Sequence, residues 1–274
     1  MPRLKEKHTI KSIKCKKKRS EKISSVTAYD HPSARVASDA GIDLILVGDS
    51  LGMVLQGNKN TLQVTVDEMV YHTRLVTNAK PFSLVVADMP FGSFHVSTEQ
   101  AVENAIRFVK EGGAEAIKLE GGRKRFEIIE AILAAEIPVM GHLGLTPQSV
   151  NLLGGFRPQG KLKRKADEIL EDAIQLEKLG VFAIVLESIP TEVGKMISEN
   201  LRIPTIGIGA GKYCDGQVLV FHDLLGFTDT YFPKFVRKYA NIYSTIQDAL
   251  ENYISDIDSG NFPGEAESIF LKKD

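Results

Sequence analysis

Eight short, mostly unalternating apolar runs, separated by stretches of helical periodicity, constrain the fold of this chain more than any other feature. They occupy residues 25–28, 44–47, 84–87, 116–119, 138–140, 183–186, 204–207 and 218–220. A strand covered on both faces has no polar side to alternate with, so runs of this kind predict parallel strands. Between them, Ala101, Ala105 and Val109 recur at helical spacing after Ser97-Thr98-Glu99, and Ile169, Ala173 and Leu176 do the same before Gly180. Gly41, Gly112-Gly113 and Gly180 each stand just ahead of a strand, where a helix C-cap belongs. Strand–helix alternation predicts an α/β fold. Eight such strands in 274 residues favour a closed (β/α)8 TIM barrel over an open sheet. Beyond the eighth strand, residues 233–259 read as helix.

Composition narrows the function classes. A formal net charge of −1 gives no electrostatic reason to expect nucleic acid or an acidic lipid surface as partner. Cys15 and Cys214 are too few for a disulfide framework or a cysteine zinc site, which points to a reducing, cytoplasmic setting. No apolar run has the length of a membrane span. The one charge anomaly lies in residues 3–22, centred on Lys16-Lys17-Lys18-Arg19. No apolar region follows it, so it is not a secretory signal. It reads as a solvated leader and first helix, dispensable for folding; a nucleic-acid-binding arm is the non-enzyme alternative. The expected organisation is a basic leader and first helix at 1–22, a single barrel domain with C-terminal helices at 23–264, and a tail at 265–274.

Polar residues cluster at the C-terminal ends of the expected strands. The second ends in Gly48-Asp49-Ser50, the third in Asp88-Met89-Pro90, and the fourth carries Lys118 and ends at Glu120-Gly121-Gly122. The fifth runs into His142 and the sixth into Glu187-Ser188. In a barrel these ends converge on one mouth, where active sites are built. Four acids packed with one Lys and one His would repel one another unless a cation or substrate offset them. Asp49, Asp88 and Glu120 offer oxygen ligands suited to a hard divalent ion such as Mg²⁺. Helix capping or pairing with Lys or Arg would explain any one of these acids, but all three together less well. Lys118, inside an apolar strand, reads as a contact for a substrate carboxylate or enolate, with Schiff-base chemistry as the competing role. The run Gly-Ile-Gly-Ala-Gly at 207–211 is not the dinucleotide pattern G-x-G-x-x-G, and it stands late in the chain.

These motifs resemble the ketopantoate hydroxymethyltransferase family. Thr27-Ala28-Tyr29-Asp30 opens the likeness, followed by Val47-Gly48-Asp49-Ser50-Leu51-Gly52, Val86-Ala87-Asp88-Met89-Pro90 and Lys118-Leu119-Glu120-Gly121-Gly122. Gly141-His142-Leu143-Gly144-Leu145-Thr146-Pro147-Gln148-Ser149, Val185-Leu186-Glu187 and Cys214-Asp215-Gly216-Gln217 follow in family order. The resemblance covers residues 23–264. It implies a barrel of the phosphoenolpyruvate mutase/isocitrate lyase type and a homo-oligomer. It implies transfer of a hydroxymethyl group from the co-substrate 5,10-methylenetetrahydrofolate to 3-methyl-2-oxobutanoate, giving 2-dehydropantoate for pantothenate biosynthesis. By matching motifs, Asp49 and Asp88 would ligate Mg²⁺, and Glu120 would hold it directly or through water. Asp49, Ser50, Asp88 and Lys118 would contact the ketoacid and Glu187 would accept the proton; the strand-end position of His142 adds it to the substrate-binding set. The segments 55–60 and 227–231 depart from the family pattern, which leaves loop contacts open. The enzyme alternative is a Mg²⁺-dependent 2-oxo acid lyase or mutase of the related barrel group. Its members commonly carry a catalytic-loop cysteine after a Lys-Lys-Cys-like run, whereas Lys14-Cys15-Lys16 precedes the first strand here.

Overall fold

The structure, a computed structural model, describes residues 6–228 and 233–272. Residues 1–5 of the leader, 229–231 of the divergent segment 227–231, and 273–274 of the tail lie outside the described residues. The eight strands are β1 (Ile23–Thr27), β2 (Leu44–Val47), β3 (Leu84–Asp88), β4 (Ala116–Glu120), β5 (Val139–Gly144), β6 (Ala183–Glu187), β7 (Thr205–Ile208) and β8 (Gly216–Leu219). All pair in parallel in sequence order, and β8 pairs back onto β1 to close the barrel. The helices are α1 (Ile10–Lys18), α2 (His31–Ala40), α3 (Leu51–Val54), α4 (Val66–Asn78), α5 (Thr98–Lys110) and α6 (Phe126–Ala134). They continue with α7 (Val150–Leu153), α8 (Lys163–Leu179), α9 (Thr191–Asn200), α10 (Phe221–Leu225) and α11 (Ile242–Ser259).

Local chemistry sets these boundaries. Asp30 and Thr65 start α2 and α4 as capping boxes with Ser33 and Glu68, each satisfying two of the amides a helix start leaves unpaired. Gly41 and Gly180 end α2 and α8 at φ +90° and +109°, a conformation costly for a residue with a Cβ. The expected fifth strand was too short. Parallel pairing with β4 and β6 carries β5 through Gly144, so His142 lies within the strand instead of beyond it. The expected helix from residue 233 also needs correction, because α11 begins only at Ile242. The preceding segment turns back on itself, with Tyr239 N donating to Leu224 O (2.8 Å) and Tyr243 N to Gly226 O (3.0 Å). A continuous helix could make neither bond.

The chain forms two compact units, Met1–Phe221 and His222–Asp274. The first contains the leader as well as the barrel. Ile13, on α1, is fully buried in one core cluster with Ile23, Leu44, Leu84, Met140 and Ile206. The leader lysines pair with acids placed just ahead of strands. Lys7 meets Glu115 (2.6 Å), Lys16 meets Asp43 (2.6 Å) and Lys17 meets Asp215 (2.8 Å). The basic leader is therefore not a solvated arm. From Ile10 to Lys18 it is a plug over the N-terminal end of the barrel, with Lys16 and Lys17 directed to acids at the strand starts. In the second unit, α11 ends at Gly260 (φ +72°), and Tyr253 meets Phe262 edge-to-face at 5.4 Å.

This packing gives α1 a measurable share in the stability of the first unit. Ile13→Ala is expected to lower the unfolding free energy by about 2–5 kcal/mol, the usual cost of emptying a buried Ile site. Urea unfolding checks this, and a loss within error of zero would restore the view of the leader as a passive extension.

Candidate active site

Barrel register assembles the site. Asp88 on β3 stands in register with Lys118 on β4, Glu120 with His142 on β5, and Gly144 with Glu187 on β6. Neighbouring strands thus deliver opposite charges side by side. Lys118 Nζ lies 2.8 Å from Asp88 Oδ1 and 3.3 Å from His142 Nδ1. His142 places Nδ1 3.4 Å from Glu120 Oε1 and Nε2 3.2 Å from Glu187 Oε2. Asp49, after β2, joins through its backbone N–H, which donates to Asp88 Oδ2 at 3.4 Å. Gly144 is required by this closeness: its φ is +94°, and a Cβ there would meet the Glu187 carbonyl oxygen at 2.3 Å.

Of the residues expected from sequence, Asp49, Asp88, Lys118, Glu120, His142 and Glu187 come together in this network. The first five are buried, and Glu187 keeps 17% of its side chain exposed. Ser50 stands beside them, its Oγ 2.8 Å from the Tyr29 hydroxyl. Gln148 carried no chemical signal of its own in the sequence, although it lies inside a matched motif. In the structure its Nε2 donates to Asp49 Oδ2 (2.8 Å) and Met89 O (2.9 Å), while its backbone N–H donates to Glu120 Oε2 (3.1 Å). Tyr29 was likewise legible only as part of a motif. In the glycine run 207–211, a Cβ on Gly211 would meet Thr191 at 2.5 Å, so that glycine allows packing against α9.

Burial dominates the electrostatics. It pushes the Asp49 carboxyl well above the ordinary carboxylate range, helped by the charges of Asp88 and Glu120. Burial also raises Asp88, against the opposing pull of Lys118. Burial would raise Glu120 too, but its bonds to His142 and Gln148 and the Lys118 charge hold it below its usual value. Burial and Lys118 disfavour a charged His142, yet the carboxylates of Glu120 and Glu187 on its two nitrogens push it up to about 9. Lys118 is also raised, because Asp88, Glu120 and Asp49 together outweigh its burial. Four carboxylates therefore face two cations.

The residues present suit a hard divalent cation. A pair of buried aspartates repel each other beside Gln148, whose Oε1 is buried with no hydrogen-bond donor. The three carboxylates expected to ligate it do not converge as a ready-made set. Among the described residues no group of three or more His, Cys, Asp or Glu side chains is placed to hold a metal. The two oxygens of Glu120 face His142 Nδ1 at 3.4 Å and the Gln148 N–H at 3.1 Å.

A closed parallel barrel with a charged C-terminal mouth defines an enzyme of the (β/α)8 class. Solved structures of other barrel proteins share this fold. A 2,3-dimethylmalate lyase described as a member of the phosphoenolpyruvate mutase/isocitrate lyase superfamily aligns with TM-score 0.58 and 15% identity, over 95% of this chain and 91% of the other. A phosphonopyruvate hydrolase in complex with oxalate and Mg²⁺ aligns with TM-score 0.61 and 12% identity, over 95% and 93%. A sequence model described as ketopantoate hydroxymethyltransferase matches residues 7–265, and the chain belongs to that family. The 3-methyl-2-oxobutanoate hydroxymethyltransferase of Syntrophomonas wolfei is 52% identical over 266 residues, covering 97% of this chain and 96% of the relative. The Clostridioides difficile protein of the same name is 51% identical over 267 residues, covering 97% of each.

Removing Lys118 tests the charge balance. Lys118→Met, unfolded in urea with EDTA present, is expected to lose about 3–5 kcal/mol near pH 8, as for a buried pair stripped of one partner. The raised carboxyls of Asp49 and Asp88 mean that the folded chain holds their protons to higher pH than the unfolded chain does. Their ionisation therefore costs stability as pH rises, so the deficit is expected to shrink by pH 5. A deficit independent of pH would show that the variant suffers from lost packing alone.

Proposed function

We propose that this protein transfers a hydroxymethyl group from 5,10-methylenetetrahydrofolate to 3-methyl-2-oxobutanoate, giving 2-dehydropantoate for pantothenate biosynthesis. The names carried by relatives about half identical over nearly the whole chain support the reaction type. The observation that supports the chemistry most is the placement of Glu187. It is the most exposed carboxylate of the network, and its Oε2 stands 3.2 Å from His142 Nε2.

In this mechanism Glu187 accepts the proton from the carbon next to the ketone. His142, tied to Glu120 on its other nitrogen, fixes the direction of that carboxylate. Lys118 presents positive charge to the developing enolate, and Ser50, oriented by Tyr29, donates to the ketoacid. The enolate carbon then bonds to the donor's methylene carbon as the carbon–nitrogen bonds to folate break. Water supplies the hydroxyl oxygen, the proton held by Glu187 and one from that water pass to the two folate nitrogens, and tetrahydrofolate leaves. Asp49 and Asp88 would hold Mg²⁺, with Glu120 reaching it through water and Gln148 fixing Asp49. When bound, the ion supplies Lewis-acid stabilisation of enolate charge. We assign the protein to the cytoplasm as a homo-oligomer; among the described residues no helix is long and apolar enough to cross a membrane.

Two measurements separate the metal from the base. Asp49→Asn and Asp88→Asn are each expected to weaken Mg²⁺ binding by calorimetry at least ~10-fold, since each removes a charged oxygen ligand; unchanged affinity in both would remove the ion from these residues. With Mg²⁺ and ketoacid but no folate, the protein is expected to exchange the C3 hydrogen in D2O. Glu187→Gln is expected to slow that exchange about 10²–10⁴-fold while still binding ketoacid. NMR follows the C3 signal, and undiminished exchange in the variant would move the base elsewhere.

A further inference from the structure

Four non-glycine residues among those described have a left-handed backbone: Ser20 (φ +56°), Lys80 (φ +48°), Glu136 (φ +63°) and Ser188 (φ +47°). The first three each stand two residues past a helix, after α1, α4 and α6, where that conformation commonly ends a helix. Ser188 instead follows a strand, immediately after Glu187. The neighbouring strands leave the mouth through glycine. β4 is followed by Gly121 (φ +121°), β5 ends in Gly144 (φ +94°) and β7 is followed by Gly209 (φ +64°). Glycine takes such angles freely, whereas a Cβ makes them costly. A serine in this conformation, with no helix end to explain it, persists only where its surroundings impose it.

Those surroundings are three backbone hydrogen bonds. The peptide joining Glu187 to Ser188 is gripped from both sides. Its carbonyl oxygen accepts from Leu145 N, just past β5 (2.8 Å), and its N–H donates to Ile208 O on β7 (2.8 Å). In the next peptide, the Ser188 carbonyl oxygen accepts from Gln159 N (2.9 Å), in the loop between α7 and α8. Consecutive peptides keep these partners together only if the chain turns at Ser188, and the left-handed φ is that turn. The turn also buries Ile189 beside Gly144, where a Cβ would meet the Ile189 side chain at 2.8 Å. The Ser188 hydroxyl has no hydrogen-bond partner among the described residues. The segment that supplies Leu145 and Gln159 also carries Gln148, which donates to Asp49 and Glu120. One segment thus holds the Glu187 backbone and the acids opposite it in a common frame.

We propose that Ser188 is a positioning residue for the base: its left-handed backbone, and not its hydroxyl, fixes the peptide that carries Glu187 and so aims the carboxylate. This rests on the reading of Glu187 as proton acceptor, and adds the device that holds it. An extended backbone at Ser188 would turn its carbonyl away from Gln159 or pull the preceding peptide off Leu145 and Ile208. Either change lets Glu187 swing from its place beside His142 Nε2.

The test is exchange of the C3 hydrogen in D2O, with Mg²⁺ and 3-methyl-2-oxobutanoate added to the full-length protein. Ser188→Thr keeps the hydroxyl but is branched at Cβ, which disfavours a left-handed backbone. Ser188→Gly loses the hydroxyl and takes that backbone freely. Ser188→Thr is expected to slow exchange about 10- to 100-fold, the cost of misplacing a reacting group by about an ångström. Ser188→Gly is expected to stay within a few-fold of the wild type, as is Ser188→Asn, whose short side chain tolerates the left-handed region. In turnover, Ser188→Thr is expected to lower kcat and leave the KM for ketoacid where it was, because the defect follows binding. Wild-type exchange in Ser188→Thr, or a loss in Ser188→Gly as large as in Ser188→Thr, overturns the proposal. If Ser188→Thr does not fold, the other two variants decide: exchange retained without the hydroxyl supports the proposal, and a large loss in both overturns it. Glu187→Gln separates the two readings. Undiminished exchange in Glu187→Gln removes the base and this proposal with it. Exchange lost in Glu187→Gln but kept in Ser188→Thr removes this proposal alone.

Discussion

Charge taken out of water has to be compensated within a few ångströms, because an apolar surrounding screens it poorly. That constraint governs the C-terminal mouth of this barrel. Asp49, Asp88 and Glu120 are buried, and each is tolerable only through the cations and N–H groups set against it. The compensation is delivered by strand register. Parallel pairing puts Asp88 beside Lys118 and Glu120 beside His142, so a slip of one residue between these strands would strand a carboxylate against an apolar side chain. Four carboxylates set against two cations leave the mouth with an excess of acids.

The opposite end solves a different problem with similar means. The strand starts expose the bottom of the barrel core, and α1 covers it with Ile13. Its lysines meet Asp43 and Asp215, both placed immediately ahead of strands. These pairs are partly exposed and contribute less than the buried apolar contact, but they fix which face of α1 turns inward. Stability is thus concentrated at one end and chemistry at the other, the usual division in this barrel class. Strained or repelling groups at the mouth can persist because the floor and the eight-strand wall hold the backbone in place.

Much of this was readable from the chain. The apolar runs marked all eight strands, since a strand buried on both faces needs no polar alternation, and glycines at helix ends marked several boundaries. The six charged members of the network stood out because several acids, a lysine and a histidine at the ends of buried strands are explained less well by capping or pairing together than singly. Gln148 and Tyr29 did not stand out. An amide or a phenol is ordinary in a core, and only its partners reveal that it orients Asp49 or Ser50. The role of the leader was misread because a lysine run looks the same whether its charges meet water or acids distant in sequence.

The sequence by itself determined the strand count, the strand–helix alternation, the family and the identity of the chemical groups, because these follow from local hydrophobic period and from motifs contiguous in the chain. Tertiary structure decided which groups touch. It put His142 between Glu120 and Glu187, set His142 and the Gln148 N–H against the two oxygens of Glu120, and placed Arg125 over Phe94. It also turned the basic leader into a plug. These outcomes depend on register and barrel closure, which bring together residues tens to nearly two hundred positions apart, as Lys17 meets Ser198 and Asp215. No local pattern encodes such distances, because the energy that selects them comes from burying charge and apolar surface together in three dimensions.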